Sequence, residues 1–263
     1  MFSLEDYPWL KGWLDDEPLI KPGWLTVGAG TMFSDKTIEE ALRIEKMIRS
    51  NMDYLFCGPS TNKRYIKEEK RVILTNRSDS NIKYEVEINL FPPKEPQAIL
   101  RFISENKLKI GLVLLEELQT WGPELLDVVQ ELRNMGIAVM GTGCDLDFKG
   151  NVWGQTLNLF RIADTKIRMY ATCMCCLENK SRLSARIGFQ DVNTNDQQVL
   201  DGRGGSIYVP LCTRCYKATT EEGIFNPIFL EDGIKRALPE VRRLVLAGIS
   251  NPDQLLAHLK KEG

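Results

Sequence analysis

Gly30, four further residues, then Asp35, Lys36 and Thr37 spell a phosphate-binding loop in all but one letter. Such a loop reads Gly, four residues, Gly, Lys, then Ser or Thr. Its backbone N–H groups and Lys ammonium cradle phosphate oxygens, and its hydroxyl reaches Mg²⁺. Asp35 takes the second Gly position, which faces the phosphates. A carboxylate and a phosphate charge about 5 Å apart repel by roughly 3 kcal/mol at an effective dielectric near 20. Mg²⁺, Lys36 and the positive end of the following helix offset part of that. Asp at a helix start also caps exposed N–H groups. The segment is therefore either an altered phosphate site or a loop capped by its own carboxylate, with Lys36 as the partner of Asp35.

Two further groups of residues carry chemistry. Cys173-x-x-Cys176 and Cys212-x-x-Cys215 are thiolate pairs at the spacing that suits tetrahedral Zn²⁺. Four cysteine ligands leave no open coordination position, so the zinc is structural. Disulfides or buried thiols are the alternatives. Cys175 competes with Cys176, but Cys173 with Cys176 keeps the two-residue gap. Cys57 and Cys144 read as core or strand-end residues. The third group is Glu116-Glu117, at the end of the apolar run Ile110–Leu115. Beside a phosphate loop, one acid there holds Mg²⁺, usually through water, and a second takes the proton from an attacking hydroxyl. Taken alone, two acids at a strand end can simply be solvated.

These groups need a scaffold, and the hydrophobic pattern supplies one. Residues 23–28 form a short apolar strand that enters the loop. The apolar series Ile38, Ala41, Leu42, Ile44, Met47 and Ile48 makes the next segment a helix. Strand, loop and helix thus fall in the order a phosphate loop requires. Residues 53–57, 110–117 and 137–143 are further buried strands, and 96–106 and 123–135 are helices. Pro123 and Gly136 bracket the second of these helices. Residues 58–92 read as polar and mixed. Near-continuous apolar strands alternating with helices predict a parallel sheet covered on both faces. Ligands on such sheets bind at the C-terminal strand ends, where Gly30, Glu116-Glu117 and Gly141–Gly143 lie. The predicted organisation is an N-terminal extension (1–22), a nucleotide-binding α/β domain (23–168), a small cysteine-bearing domain (169–217) and a helical C-terminal extension (218–263).

Bulk properties narrow the classes. Charged residues make up 27% of 263 residues with a net charge of −2, which argues against a strongly basic nucleic-acid surface. No run of 18 apolar residues predicts a membrane span. Residues 1–6 lack a basic stretch followed by an apolar one, so a cytoplasmic protein is expected, and disulfides are disfavoured there. The single histidine, His258, sits in the predicted C-terminal helix and reads as a surface residue. Any base is then a carboxylate.

With these pieces together, residues 23–217 resemble the zinc-containing, phosphate-loop thymidine kinase family. Met32-Phe33-Ser34 is that family's phrase inside its loop. Glu116-Glu117-Leu118-Gln119 stands where the family has Asp-Glu-Ala-Gln. Asp145–Gly150, Trp153, Ser184-Ala185-Arg186, Gly204-Gly205, Tyr208 and Cys212-x-x-Cys215-Tyr216 continue the match in order. The resemblance implies a phosphate-loop NTPase-like α/β fold with a small zinc-binding lasso. It implies ATP and Mg²⁺ at Gly30, Met32, Phe33, Ser34, Asp35, Lys36, Thr37, Glu116 and Gln119. It implies Glu117 as the general base for the nucleoside 5′-hydroxyl. Phe148, Trp153, Arg186 and Tyr208 would surround a thymidine-like deoxynucleoside, and Cys173, Cys176, Cys212 and Cys215 would hold zinc. A homo-oligomer, a tetramer in the family, is also implied, with no direct nucleic-acid binding. The departures gather around phosphate handling: Asp35 for Gly, Glu116 for Asp, and Asn62 for the Asp of an Asp-x-Arg-Tyr segment. The family's His-Asp-Gly segment has no counterpart near Thr75-Asn76-Arg77, and the lasso is one residue shorter before Tyr208.

Overall fold

The computed structural model describes residues 21–49, 51–62, 71–75, 83–176, 179–187 and 207–220. The C-terminal extension expected to be helical, His258, most of the N-terminal extension, Lys63–Tyr65 and Gly204-Gly205 lie outside the described residues.

Six parallel strands form the central sheet in the order β5-β2-β6-β7-β1-β8. They are β1 (Leu25–Gly30), β2 (Tyr54–Pro59), β5 (Asn89–Phe91), β6 (Leu112–Leu115), β7 (Ala138–Gly143) and β8 (Thr165–Met169). Successive side chains of a strand point to opposite faces. In β6, Leu112 and Leu114 join one core cluster, and Val113 and Leu115 join the other. That is why the strand reads as an unbroken apolar run: both faces are covered. On one face α1 (Lys36–Arg49) contributes Ala41, Ile44 and Met47, which meet Phe56, Leu114 and Met140. On the other, α2 (Ala98–Glu105) and α3 (Leu125–Asn134) bring Ile99, Ile103, Leu125, Val128, Val129 and Leu132 onto Val27, Val113 and Val139. Full burial of such side chains contributes roughly 1.5–3 kcal/mol each.

The parallel, doubly covered sheet matches expectation, and three strands within residues 58–92 were not anticipated. Residues 58–92, read as polar and mixed, contain β5 and the antiparallel hairpin β3 (Arg71–Thr75) with β4 (Lys83–Glu87). β5 spans three residues at the sheet edge, too short for a periodicity to register. β8 closes the opposite edge beside β1. Its Lys166 and Arg168 interrupt the apolar pattern, as an edge strand permits. α4 (Thr156–Ile162) precedes it.

After β8 the chain builds a separate lobe. β9 (Leu183–Ile187) and β10 (Ile207–Leu211) pair antiparallel, and α5 (Thr213–Thr220) follows. A third core cluster sits here, formed by Cys173, Met174, Ala185, Val209, Leu211, Cys212 and Cys215. No helix among the described residues is long and apolar enough to cross a membrane.

Candidate functional site

The loop Thr31–Asp35 leaves the C-terminal end of β1 and enters α1. Gly30 is required at its start: a Cβ there would overlap the Met169 carbonyl oxygen and lie 2.7 Å from Ser34 Oγ. Phe33 and Asp35 both adopt left-handed backbone, with φ of 63° and 59°. A glycine at position 35 would enter this region at little cost, which is the backbone reason such loops carry one there. Asp is among the side chains that tolerate it. Thus Asp35 changes the loop's charge more than its path. Its carbonyl accepts the Glu39 N–H at 3.2 Å, which starts α1. Among the described residues its carboxylate makes no hydrogen bond, so the expected side-chain cap is not formed. Burial raises the Asp35 carboxyl above the usual range, and the Lys36 charge opposes that shift. Lys36 does not pair directly with Asp35. Its Nζ donates to the carbonyl oxygens of Thr31 at 2.5 Å and Gly30 at 3.5 Å, and to Ser34 Oγ at 3.4 Å.

Two strand ends face this loop. Glu116 and Glu117 follow β6. Glu116 is buried, and its carbonyl accepts the Trp121 indole N–H at 2.9 Å. Glu117 has left-handed backbone, φ 55° and ψ 50°, as it enters the 3₁₀ turn Leu118–Thr120. For a non-glycine residue that conformation costs about 1–2 kcal/mol, and the surroundings hold it. The Thr120 N–H and hydroxyl both donate to the Glu117 carbonyl at 2.8 Å. Gln119 Nε2 donates to Glu117 Oε2, while Gln119 Oε1 accepts the Cys144 N–H at 2.9 Å. Both ends of the Gln119 amide are therefore used to fix Glu117 against the end of β7. Gly154, at φ 53°, lets the next loop pass over this turn, because a Cβ there would overlap the Gln119 carbonyl. Lys36 and Glu117 both act electrostatically on Cys144 and on Glu40, so the loop cation and this carboxylate share one end of the sheet.

Asp145–Trp153 form the third side. Asp147 is buried, and its carboxylate accepts the N–H groups of Lys149 and Asn151, each at 2.9 Å. Asp145 pairs with Arg168 of β8, and its carbonyl accepts the Trp153 N–H at 3.1 Å. Phe148 is half-buried beneath the Arg186 guanidinium, 5.4 Å from the ring centre. Arg186 lies directly opposite Tyr208 in the β9–β10 pair. The Tyr208 hydroxyl is buried with no hydrogen-bond partner among the described residues. Phe148, Arg186 and Tyr208 are thus gathered on one side of the loop, with Trp153 half-buried at the far end of the Asp145–Trp153 segment.

The cysteine lobe grips the loop. Thr31 and Ser181 hydroxyls lie 2.8 Å apart, the Met32 N–H donates to Ser184 Oγ at 3.0 Å, and Phe33 packs against the lobe's apolar cluster. The Tyr216 hydroxyl donates to the Phe148 carbonyl at 2.5 Å. Cys173, Cys176, Cys212 and Cys215 place their Sγ atoms within 4.8 Å of one another, a spacing that fits one tetrahedral cation with metal–sulfur distances near 2.3 Å. Burial raises the Cys173 and Cys215 thiols above their ordinary value. A bound dication reverses that preference, because it binds the thiolate.

Sequence reasoning singled out the loop, Glu116-Glu117 and the cysteines. It did not single out Gly154, the clamp role of Asp147, or Glu39 and Glu40 in α1. Glu39 is buried, and burial pushes its carboxyl up to about 7, with Arg43 and Lys46 opposing. The folded value exceeds the ordinary 4.5, so the folded chain binds the extra proton between them. This contribution to stability is fully present below the unfolded value and is lost as pH rises through about 7. The loss is at most about 3 kcal/mol. Glu39→Gln is expected to flatten the fall in unfolding free energy between pH 5 and 7.5, measured by urea titration. Parallel curves for the two proteins would refute the assignment.

The thymidine kinase family model matches residues 23–216. A thymidine kinase from Bacteroides thetaiotaomicron is 33% identical over 202 residues, 76% of this chain and 91% of the relative. One from Bacteroides fragilis is 30% identical over 200 residues, 76% of this chain and 90% of the relative. Among solved structures, the flagellar accessory protein FlaH from Methanocaldococcus jannaschii is 12% identical with a TM-score of 0.37. That alignment covers 57% of this chain and 72% of FlaH, and adds nothing to the assignment. The family match covers the phosphate loop, both strand-end acids and all four clustered cysteines, and the chain belongs to the thymidine kinase family.

Proposed function

We propose that the protein transfers the γ-phosphate of ATP to the 5′-hydroxyl of thymidine or a related deoxynucleoside. The observation that carries this reading is Glu117, held in a left-handed turn by Gln119 at the same sheet end as Lys36. Glu117 takes the 5′-hydroxyl proton. The oxygen attacks the γ-phosphorus, and the bond to the departing ADP oxygen breaks. Lys36 exchanges its loop carbonyls for phosphate oxygens. Arg186, Phe148 and Tyr208 frame the nucleoside, and the buried Tyr208 hydroxyl is a polar group available to it. Thr37 and Glu116 would hold Mg²⁺, which when bound neutralises phosphate charge. The four clustered cysteines hold structural Zn²⁺, and the working form is a homo-oligomer in the cytoplasm, a tetramer by family resemblance.

Asp35 supports a second reading, a family member that binds nucleoside or nucleotide, or a partner, with impaired transfer. Labelled γ-phosphate transfer to thymidine, with Asp35→Gly and Asp35→Asn run beside the native chain, decides between them. The native chain is expected to turn over, and both variants to lower the KM for ATP by ten- to a hundredfold, the bound set by about 3 kcal/mol of repulsion. Asn keeps the left-handed preference and removes the charge, so an improvement confined to Gly would assign the effect to backbone. The native KM is also expected to fall towards acid pH as Asp35 takes up a proton, and both variants to lose that dependence. Turnover only in the variants favours the impaired reading; none in any, with zinc bound and the protein folded, rejects the kinase.

A further inference from the structure

Glu40 takes no part in the reaction described above. It lies three residues after Thr37 in α1, and residues three apart share a helix face. Around it that face is apolar, with Ala41, Ile44 and Met47 packed onto the sheet. Glu40 is wholly buried, and its Oε1 accepts the Thr142 hydroxyl at 2.7 Å. Its Oε2 is buried with no hydrogen-bond partner among the described residues. Thr142 is buried as well. It continues the face of β7 on which Ala138 and Met140 join the α1 cluster.

Stability does not account for this pair. An acid and a hydroxyl taken out of water return little for one hydrogen bond, and two apolar side chains of the same shape would serve the fold as well. What the pair adds is direction. Apolar packing is non-directional, so it presses α1 onto the sheet without fixing how far along the sheet the helix sits. A hydrogen bond tolerates only a narrow range of distance and angle. On the helix side, Thr37 and Lys36 stand one turn before Glu40. On the strand side, Thr142 is followed by Gly143 and Cys144, whose N–H donates to Gln119 Oε1 at 2.9 Å. Gln119 Nε2 donates in turn to Glu117 Oε2. Two side-chain links, Glu40 to Thr142 and Gln119 to Glu117, thus join the phosphate-loop helix to the base across the end of β7.

We propose that Glu40 is a positioning residue for phosphate transfer: through Thr142 it sets the register of α1 on the sheet, and so the distance between the phosphates held by the loop and Glu117. The role rests on the kinase reading of the site. A misplacement of about 1 Å can cost on the order of a hundredfold in rate, so the link has a measurable consequence.

The test compares full-length, zinc-loaded chains. Glu40→Leu combined with Thr142→Val removes the bond and leaves the site filled and apolar. This double variant is expected to melt close to the native chain, with kcat for thymidine phosphorylation lowered roughly ten- to hundredfold. The KM for thymidine should stay within about threefold, because the nucleoside pocket is untouched. Glu40→Gln keeps the shape and an oxygen for the Thr142 hydroxyl, and is expected to recover most of the native kcat. Native kcat in the double variant, or equal losses in it and in Glu40→Gln, overturns the proposal. Should the double variant not fold, Thr142→Val against Thr142→Ser makes the same comparison, since Ser keeps the hydroxyl. A second readout needs no turnover. The Gln119 side-chain amide resonances are expected to shift in the double variant and to return in Glu40→Gln; unchanged resonances in the double variant overturn the link. Absence of transfer by the native chain rejects the kinase and this role with it, whereas native-like transfer by the double variant rejects this role alone.

Discussion

Glu117→Gln is expected to lower kcat for thymidine phosphorylation by roughly 10²–10⁴-fold, the usual share of a positioned general base. KM values for ATP and thymidine should stay within a few fold. The amide has nearly the volume of the carboxylate and keeps an oxygen that Gln119 Nε2 can reach. The left-handed turn, the Thr120 bonds and the Gln119–Cys144 link do not depend on the Glu117 charge. What disappears is the proton acceptor. A loss confined to kcat assigns Glu117 to the chemical step. Steady-state kinetics with both substrates varied, together with a melting curve, checks this. Native-like kcat in a correctly folded variant would remove Glu117 from the mechanism. A large rise in KM alone would make it a binding group.

Cys215→Ser is expected to empty the metal site and to cost the molecule both stability and its response to nucleotide. Structural zinc sites in small peptides contribute about 10–16 kcal/mol of apparent free energy. Here the lobe also has apolar packing of its own, through Ala185, Val209 and Leu211, so only part of that is at stake. A fall in melting temperature on the order of 10 °C corresponds to several kcal/mol for a domain this size. The effect reaches the phosphate loop because its seat is built from the lobe: Ser181 and Ser184 hold Thr31 and Met32, and the cysteine cluster packs on Phe33. ATP–Mg²⁺ should therefore raise the melting temperature of the native chain and not that of the variant. Metal analysis is expected to give one zinc per native chain and none in the variant. Full zinc content in Cys215→Ser, or an unchanged ATP response, would overturn this coupling.

How far the sequence revealed these features depended on whether the signal was local. The phosphate loop, the paired cysteines and Glu116-Glu117 are each defined by neighbours a few residues apart. The two sheet faces were equally legible, because β6 and the first half of β7 are apolar on both faces. β5 was not, since three residues at an edge carry no periodicity. Asp35 was legible as a charge and not as a backbone conformation; its φ of 59° emerges only with the loop's path. Gln119 and Gly154 matter through each other, across a gap in sequence that no spacing rule covers. Glu40 was hidden most fully. A polar letter in an amphipathic helix reads as solvated, and only the packing shows that it faces Thr142.

The seat of the phosphate loop also sets an order of events during synthesis. Met32 emerges 152 residues ahead of Ser184, its partner. At about 5–20 residues per second, that is an interval of roughly 8 to 30 seconds. During it β1 and α1 are already made, yet Ser181 and Ser184, which hold Thr31 and Met32 from the cysteine lobe, are not. A growing chain therefore carries a phosphate-loop sequence without the structure that gives it a grip. The loop's seat is complete only once Ser181 and Ser184 have been made.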